Sequence, residues 1–117
     1  MYYEIKAIVK TDKKNIKRIF LAETSSIVLA DALVQSPDLV KVTGIVEKDF
    51  VNVFVDKGDK FYECKVMYED IEGKEISETY IQTADSTSEA ETALLSNLTY
   101  EPEFKSVKET NIFDIYK

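Results

Sequence analysis

Histidine and tryptophan are absent from these 117 residues, cysteine occurs once and glycine three times. Each shortage removes a class of chemistry. Without histidine the chain lacks the commonest metal ligand and the usual general base, which excludes ordinary zinc sites and histidine-dependent triads. A lone cysteine, Cys64, cannot close an intrachain disulfide. Glycines at 44, 58 and 73 cannot build a G-x-G-x-x-G turn or a phosphate-binding loop. No apolar run approaches the roughly 20 residues of a membrane-spanning helix. Met1 leads straight into alternating residues, with no charged segment and apolar signal core. These absences point to a soluble, unprocessed, cytoplasmic protein with no membrane contact, metal, cofactor or catalytic residue.

What is present is a repetition. Aligning Tyr3 with Tyr62 pairs Glu4 with Glu63 and Lys6 with Lys65, and sets Ile5, Ala7 and Val9 opposite Cys64, Val66 and Tyr68. Both segments alternate with period two, so each reads as a strand with one buried side. Cys64 falls on that buried side, where it reads as a small hydrophobe and not as a catalytic thiolate. Further on, Leu21 aligns with Ile81, Ser26 with Ser86 and Ala30 with Ala90, after a one-residue slip that a hairpin turn absorbs. Ser86 with Glu89 has capping-box form, and Ala90, Ala93, Leu94 and Leu98 follow at helical spacing. The corresponding first helix starts at Ser25 or Ser26 and stops before Pro37. "VEKDFVNVF" aligns with "KETNIFDIY", so each copy closes with a strand.

The expected fold is therefore α+β: one compact domain over 1–117, made of two tandem ββαβ repeats, 1–57 and 60–117, related by a pseudo-two-fold. Antiparallel sheet, in one piece or two, carries two helices. Only Asp56-Lys57-Gly58-Asp59 separates the copies, so the last strand of the first and the first strand of the second are expected side by side as a hairpin.

The net charge of −7 conceals a division. Residues 1–58 hold nine Lys or Arg against eight Asp or Glu, whereas residues 59–117 hold six against fourteen. The contrast peaks at matching hairpins. Lys10, Lys13, Lys14, Lys17 and Arg18 crowd the first, and Glu69, Asp70, Glu72, Glu75 and Glu78 the second. Charged hairpin tips keep strand edges from aggregating and need no partner. Equally, a basic tip on one molecule can meet an acidic tip on the next. A weaker alternative sets the first hairpin on a single-stranded nucleic acid, with Tyr2, Tyr3 and Phe20 as stacking surface if they face solvent. The overall negative field opposes it.

Catalysis finds no foothold elsewhere. Glu69 with Asp70, and Glu101 with Glu103, sit among other charges in turn-like sequence, the setting of solvated surface and not of a perturbed acid–base pair. The serine and threonine clusters at 24–26 and 86–88 are helix caps.

Phe61, Tyr62, Glu63, Lys65 and Val66, then Glu78 and Tyr80, then Ser88-Glu89-Ala90-Glu91, and finally Tyr116 form a pattern covering the second half of the chain. In these residues the chain resembles the family catalogued as domain of unknown function 4494, found in gut bacteria and their phages. The first half departs from the pattern at Ile27, Val28 and Leu29. The resemblance implies no activity, and it implies a phage or mobile-element origin. The expected function is that of a non-enzymatic acidic binding protein acting through protein contacts, with itself or with a host protein. The alternatives are the nucleic-acid binder and a self-assembling, homo-oligomeric structural component.

Overall fold

Alternation of apolar and polar residues produces strands throughout. The computed structural model describes residues 1–26 and 38–116. In chain order the elements are β1 (Tyr2–Lys10), β2 (Asn15–Glu23), β3 (Leu39–Lys48), β4 (Phe50–Phe54), β5 (Lys60–Glu69), β6 (Glu75–Ala84), α1 (Thr87–Asn97), β7 (Glu103–Glu109) and β8 (Ile112–Tyr116). They form two separate four-stranded sheets, one ordered β3-β1-β2-β8 and the other β7-β5-β6-β4.

This corrects the expected class. Strands make up 62% of the described residues, which hold a single short helix, so the fold is mostly β and not α+β with two helices. The helix expected between Ser25 and Pro37 lies outside the described residues. The closing segments also differ from the single strands expected. Each is broken at a residue that suits strands poorly, Asp49 in one and Asn111 in the other, so each yields a long strand and a short one.

The short strands change sheets. Contacts divide the chain into a unit of Met1–Asp49 with Asn111–Lys117 and a unit of Phe50–Thr110. The chain thus crosses between units after Asp49 and again after Thr110. β8 lies parallel to β2, with Leu21 beside Ile115, and β4 lies parallel to β6, with Val53 beside Ile81. The expected hairpin between β4 and β5 does not form, because β6 stands between them in the sheet. Both sheets are mixed, not wholly antiparallel. Parallel neighbours cannot be joined by a tight turn, which is why sequence adjacency misleads here.

In the first unit Tyr3, Ile5, Ala7 and Val9 of β1 pack with Phe20 and Ala22 of β2, and Leu39, Val42, Ile45 and Tyr116 close around them. In the second, Tyr62, Cys64 and Val66 of β5 pack with Tyr80 and Ala84 of β6 beneath Ala90 and Leu94 of α1. The faces read from the alternation are the buried ones, although Tyr68 is only half-buried. Leu21 and Ile81, which point the other way on their strands, are also fully buried, so the later residues of β2 and β6 are enclosed on both faces. The helix begins as its sequence indicates. Ser86 Oγ accepts from the Glu89 amide at 3.2 Å, and the Glu89 carboxylate reaches back to the Asp85 amide at 3.2 Å. Burial of Leu94, which is fully enclosed, contributes about 1.5–3 kcal/mol.

Between β4 and β5 the backbone bends at Gly58, whose φ of 109° no side chain tolerates well. A Cβ there would also lie 2.4 Å from the Ala84 backbone. Beside this bend, Asp56 ties the end of β4 to β6 and α1. Its Oδ2 accepts from Asn97 Nδ2 at 2.7 Å and from Gln82 Nε2 at 3.0 Å, while Asn97 Nδ2 also donates to Gln82 Oε1 at 3.0 Å. The fully buried Gln82 is thereby satisfied without a charge of its own. The hydrogen bonds from Asn97 and Gln82 hold the Asp56 carboxyl below its ordinary 3.8.

Two outcomes follow from this architecture. The fragment 1–57, the first repeat as the sequence draws it, lacks β8 and carries β4 without β6; it should show no cooperative unfolding transition by circular dichroism, whereas the full chain should. Because the folded pKa of Asp56 is lowered, its stabilisation is fully present above the unfolded value and is lost as pH falls through the folded one. Urea midpoints measured from pH 6 down to pH 2 should therefore fall less steeply for Asp56→Asn than for the native chain, and equal slopes would remove this role.

Candidate functional site

The two long hairpins carry the charges singled out in the sequence. β1 and β2 are joined by residues 11–14 and β5 and β6 by residues 70–74, so the second loop is one residue longer and accounts for the slip in the alignment. The charge division survives the change of sheets by the short strands. The first unit holds nine basic and eight acidic residues, and the second six and fourteen.

At the first hairpin Lys10, Lys13, Lys14 and Lys17 are exposed, and among the described residues none forms an ion pair. Thr11 closes the loop, donating its amide to the Lys14 carbonyl at 2.9 Å. Arg18 behaves differently. It is half-buried, and its guanidinium lies 3.8 Å from the centre of the Phe113 ring on β8, a cation–π contact that the short strand brings to it. Phe113 in turn meets Phe20 edge-on at 5.8 Å, and Tyr116 meets Phe20 at 5.6 Å. These aromatics, with Val9, Lys10 and Arg18, line a groove of about 700 Å³.

At the second hairpin the acidic residues divide into three roles. Asp70 shapes the loop: its Oδ1 accepts from the amides of Glu72 and Lys74, both at 2.9 Å, while Gly73 supplies the positive φ of 78°. Glu78 is turned inward, where its Oε1 accepts from the Tyr100 hydroxyl at 2.6 Å and from the Tyr80 hydroxyl at 3.2 Å. The Tyr68 ring packs 4.8 Å from that of Tyr100. Burial, and next the bond to Glu78, raises the Tyr100 phenol far above its usual range; burial raises Tyr80 as well. Both hydroxyls therefore stay protonated at neutral pH and keep their hydrogen bonds to Glu78.

Glu69, Glu72 and Glu75 remain exposed and, among the described residues, without an ion-pair partner. Glu69 and Glu75 stand directly opposite each other in the antiparallel register. Like charges in that position repel across the strands. Between them, at the tip, Ile71 has its whole side chain in water, at 105% relative exposure.

The ten charged residues named from sequence do lie on two hairpins, and seven of them project as exposed side chains with no ion pair among the described residues. Arg18, Asp70 and Glu78 are engaged within the chain. The stacking surface considered for a nucleic acid is not available, because Tyr2, Tyr3 and Phe20 are all buried. Cys64 is fully buried, and desolvation, reinforced by the charges of Glu91 and Glu63, pushes its thiol up to about 11. It is a core atom and an inert one. Sequence reading passed over Ile71 and Phe113. The signal for Ile71 was there, an apolar residue alone in an acidic turn. For Phe113 there was none, since its neighbour Arg18 is about a hundred residues away in the chain.

Among the described residues no helix is long and apolar enough to cross a membrane. Compared with known sequences, the family described as Domain of unknown function (DUF4494) matches residues 1–117, the whole chain and not its second half alone. No curated protein and no solved structure matches the chain.

If the facing glutamates repel, Glu75→Gln should raise the melting temperature of the monomer at low salt by about 1–2 °C, and the gain should vanish at high salt. An unchanged or lowered melting temperature at low salt would show that the pair is not strained.

Proposed function

The chain belongs to the DUF4494 family, whose description assigns it no activity, and from the geometry of its hairpins we propose that it is a non-enzymatic protein acting through protein–protein contacts, with the two charged hairpins as its contact surfaces. A second copy of the chain is the partner this reading favours. The observation that carries it is the facing pair Glu69 and Glu75, held opposite each other and left unneutralised beside Glu72, while the matching hairpin of the first unit presents four unpaired lysines. Charges kept apart inside one molecule become favourable neighbours between two.

The acidic tip is also preorganised. Its loop is fixed by the Asp70 carboxylate and by Gly73, so little entropy is lost when it docks. The net charge of −7 favours a basic protein surface over a polyanion as partner. An accessory or host-interacting role in the cytoplasm, in a chain carried by a phage or other mobile element, belongs to the same proposal.

Light scattering coupled to size exclusion tests it. At low salt the native chain should associate as its concentration rises, and the association should weaken as salt is added. A variant with Lys13→Glu, Lys14→Glu and Lys17→Glu should stay monomeric; Arg18 is left in place because it packs on Phe113. A native chain that is monomeric at low salt and high concentration would overturn self-association. Retention of labelled single-stranded RNA or DNA by the native chain, but not by the variant, would replace this reading with the nucleic-acid one.

A further inference from the structure

Corresponding places in the two sheets are built in opposite senses. On β2, Arg18 stands across from Ala7; on β6, Glu78 stands across from Val66, at the same place in the hairpin. In the second unit the charged residue is answered from within the chain, by the hydroxyls of Tyr80 and Tyr100. In the first unit Phe20 replaces the tyrosine and has no hydroxyl to offer. Among the described residues Arg18 meets the face of Phe113 and no carboxylate. The result is a groove with a buried apolar floor of Val9 and Phe20, a wall of Phe113 that is 52% exposed, and cations at Arg18 and Lys10. Asp12 and Asp38 also border it, but Lys13, Lys14 and Lys17 of the same hairpin leave its surroundings net positive.

The tip of the other hairpin has the complementary form. Ile71, the most exposed large apolar side chain among those described, projects from a loop flanked by Glu69, Glu72 and Glu75. An isolated apolar knob ringed with carboxylates matches an apolar floor ringed with cations. Building on the reading of the hairpins given above, we infer that the groove beside Phe113 is a socket for the acidic hairpin tip of a second copy of this chain, with Ile71 on the floor of Val9 and Phe20 and the glutamates against Arg18 and Lys10. The contact is head to tail: each molecule offers one knob and one socket, and neither is used up by the other's pairing.

Two variants resolve it. Ile71→Ser removes the knob at a fully exposed position and leaves every charge in place. Phe113→Glu spoils the socket at a half-exposed wall, and Arg18→Gln serves if that variant fails to melt cooperatively. Each should associate at least about tenfold more weakly than the native chain, as loss of one buried apolar anchor implies. Mixed in equal amounts, the two should give a one-to-one heterodimer that grows no further, since Ile71→Ser still has a socket and Phe113→Glu still has a knob. If Ile71→Ser associates as tightly as the native chain and with the same salt dependence, the socket is wrong while the charged hairpins stand. A mixture that stays monomeric also overturns the socket. A native chain that never associates removes both readings together.

Discussion

The parallel pairing of two short strands is the constraint from which the rest of this structure follows. β4 is covalently an extension of the first half yet hydrogen-bonds to β6, and β8 belongs to the second half yet hydrogen-bonds to β2. Each sheet is therefore finished by the other half of the chain. The packing reinforces the pairing: Val53 is 2% exposed beside the fully buried Ile81, and the Phe54 ring stacks on Tyr80 at 6.0 Å. On the other side Ile115 lies beside Leu21, and Tyr116 closes over Phe20. Neither half holds all the strands of either sheet.

That arrangement also shapes the candidate site. Phe113 reaches Arg18 only because β8 crosses to the first sheet, and without it the guanidinium would project into water like the neighbouring lysines. The second unit uses the same part of its fold for a closed cluster, in which Tyr68, Tyr80 and Tyr100 gather around Glu78. At these places one unit holds an anion hydrogen-bonded within the chain and the other a cation that meets an aromatic face and, among the described residues, no carboxylate. The difference lies in a few side chains: a phenylalanine for a tyrosine, an arginine for a glutamate.

The sequence carried the strands of the two hairpins, their buried faces and the start of α1, since all of these rest on local periodicity and capping. It carried the charged hairpins too, because charges written close together along a hairpin stay close in space. It misled at the ends of the copies. An unbroken reading of "VEKDFVNVF" missed the interruption at Asp49, and adjacency suggested a β4–β5 hairpin where the sheet places β6 between them.

By itself, then, the sequence determined which residues face inward and which tips are charged, because burial and alternation are properties of a few neighbouring residues. Only the tertiary structure decided that each half completes the other's sheet, which three of the ten charges are engaged internally, and that Phe113 and Ile71 stand exposed. Those outcomes depend on pairings between segments tens of residues apart. The free energy of such a pairing is set by the whole sheet and leaves no mark on either segment alone.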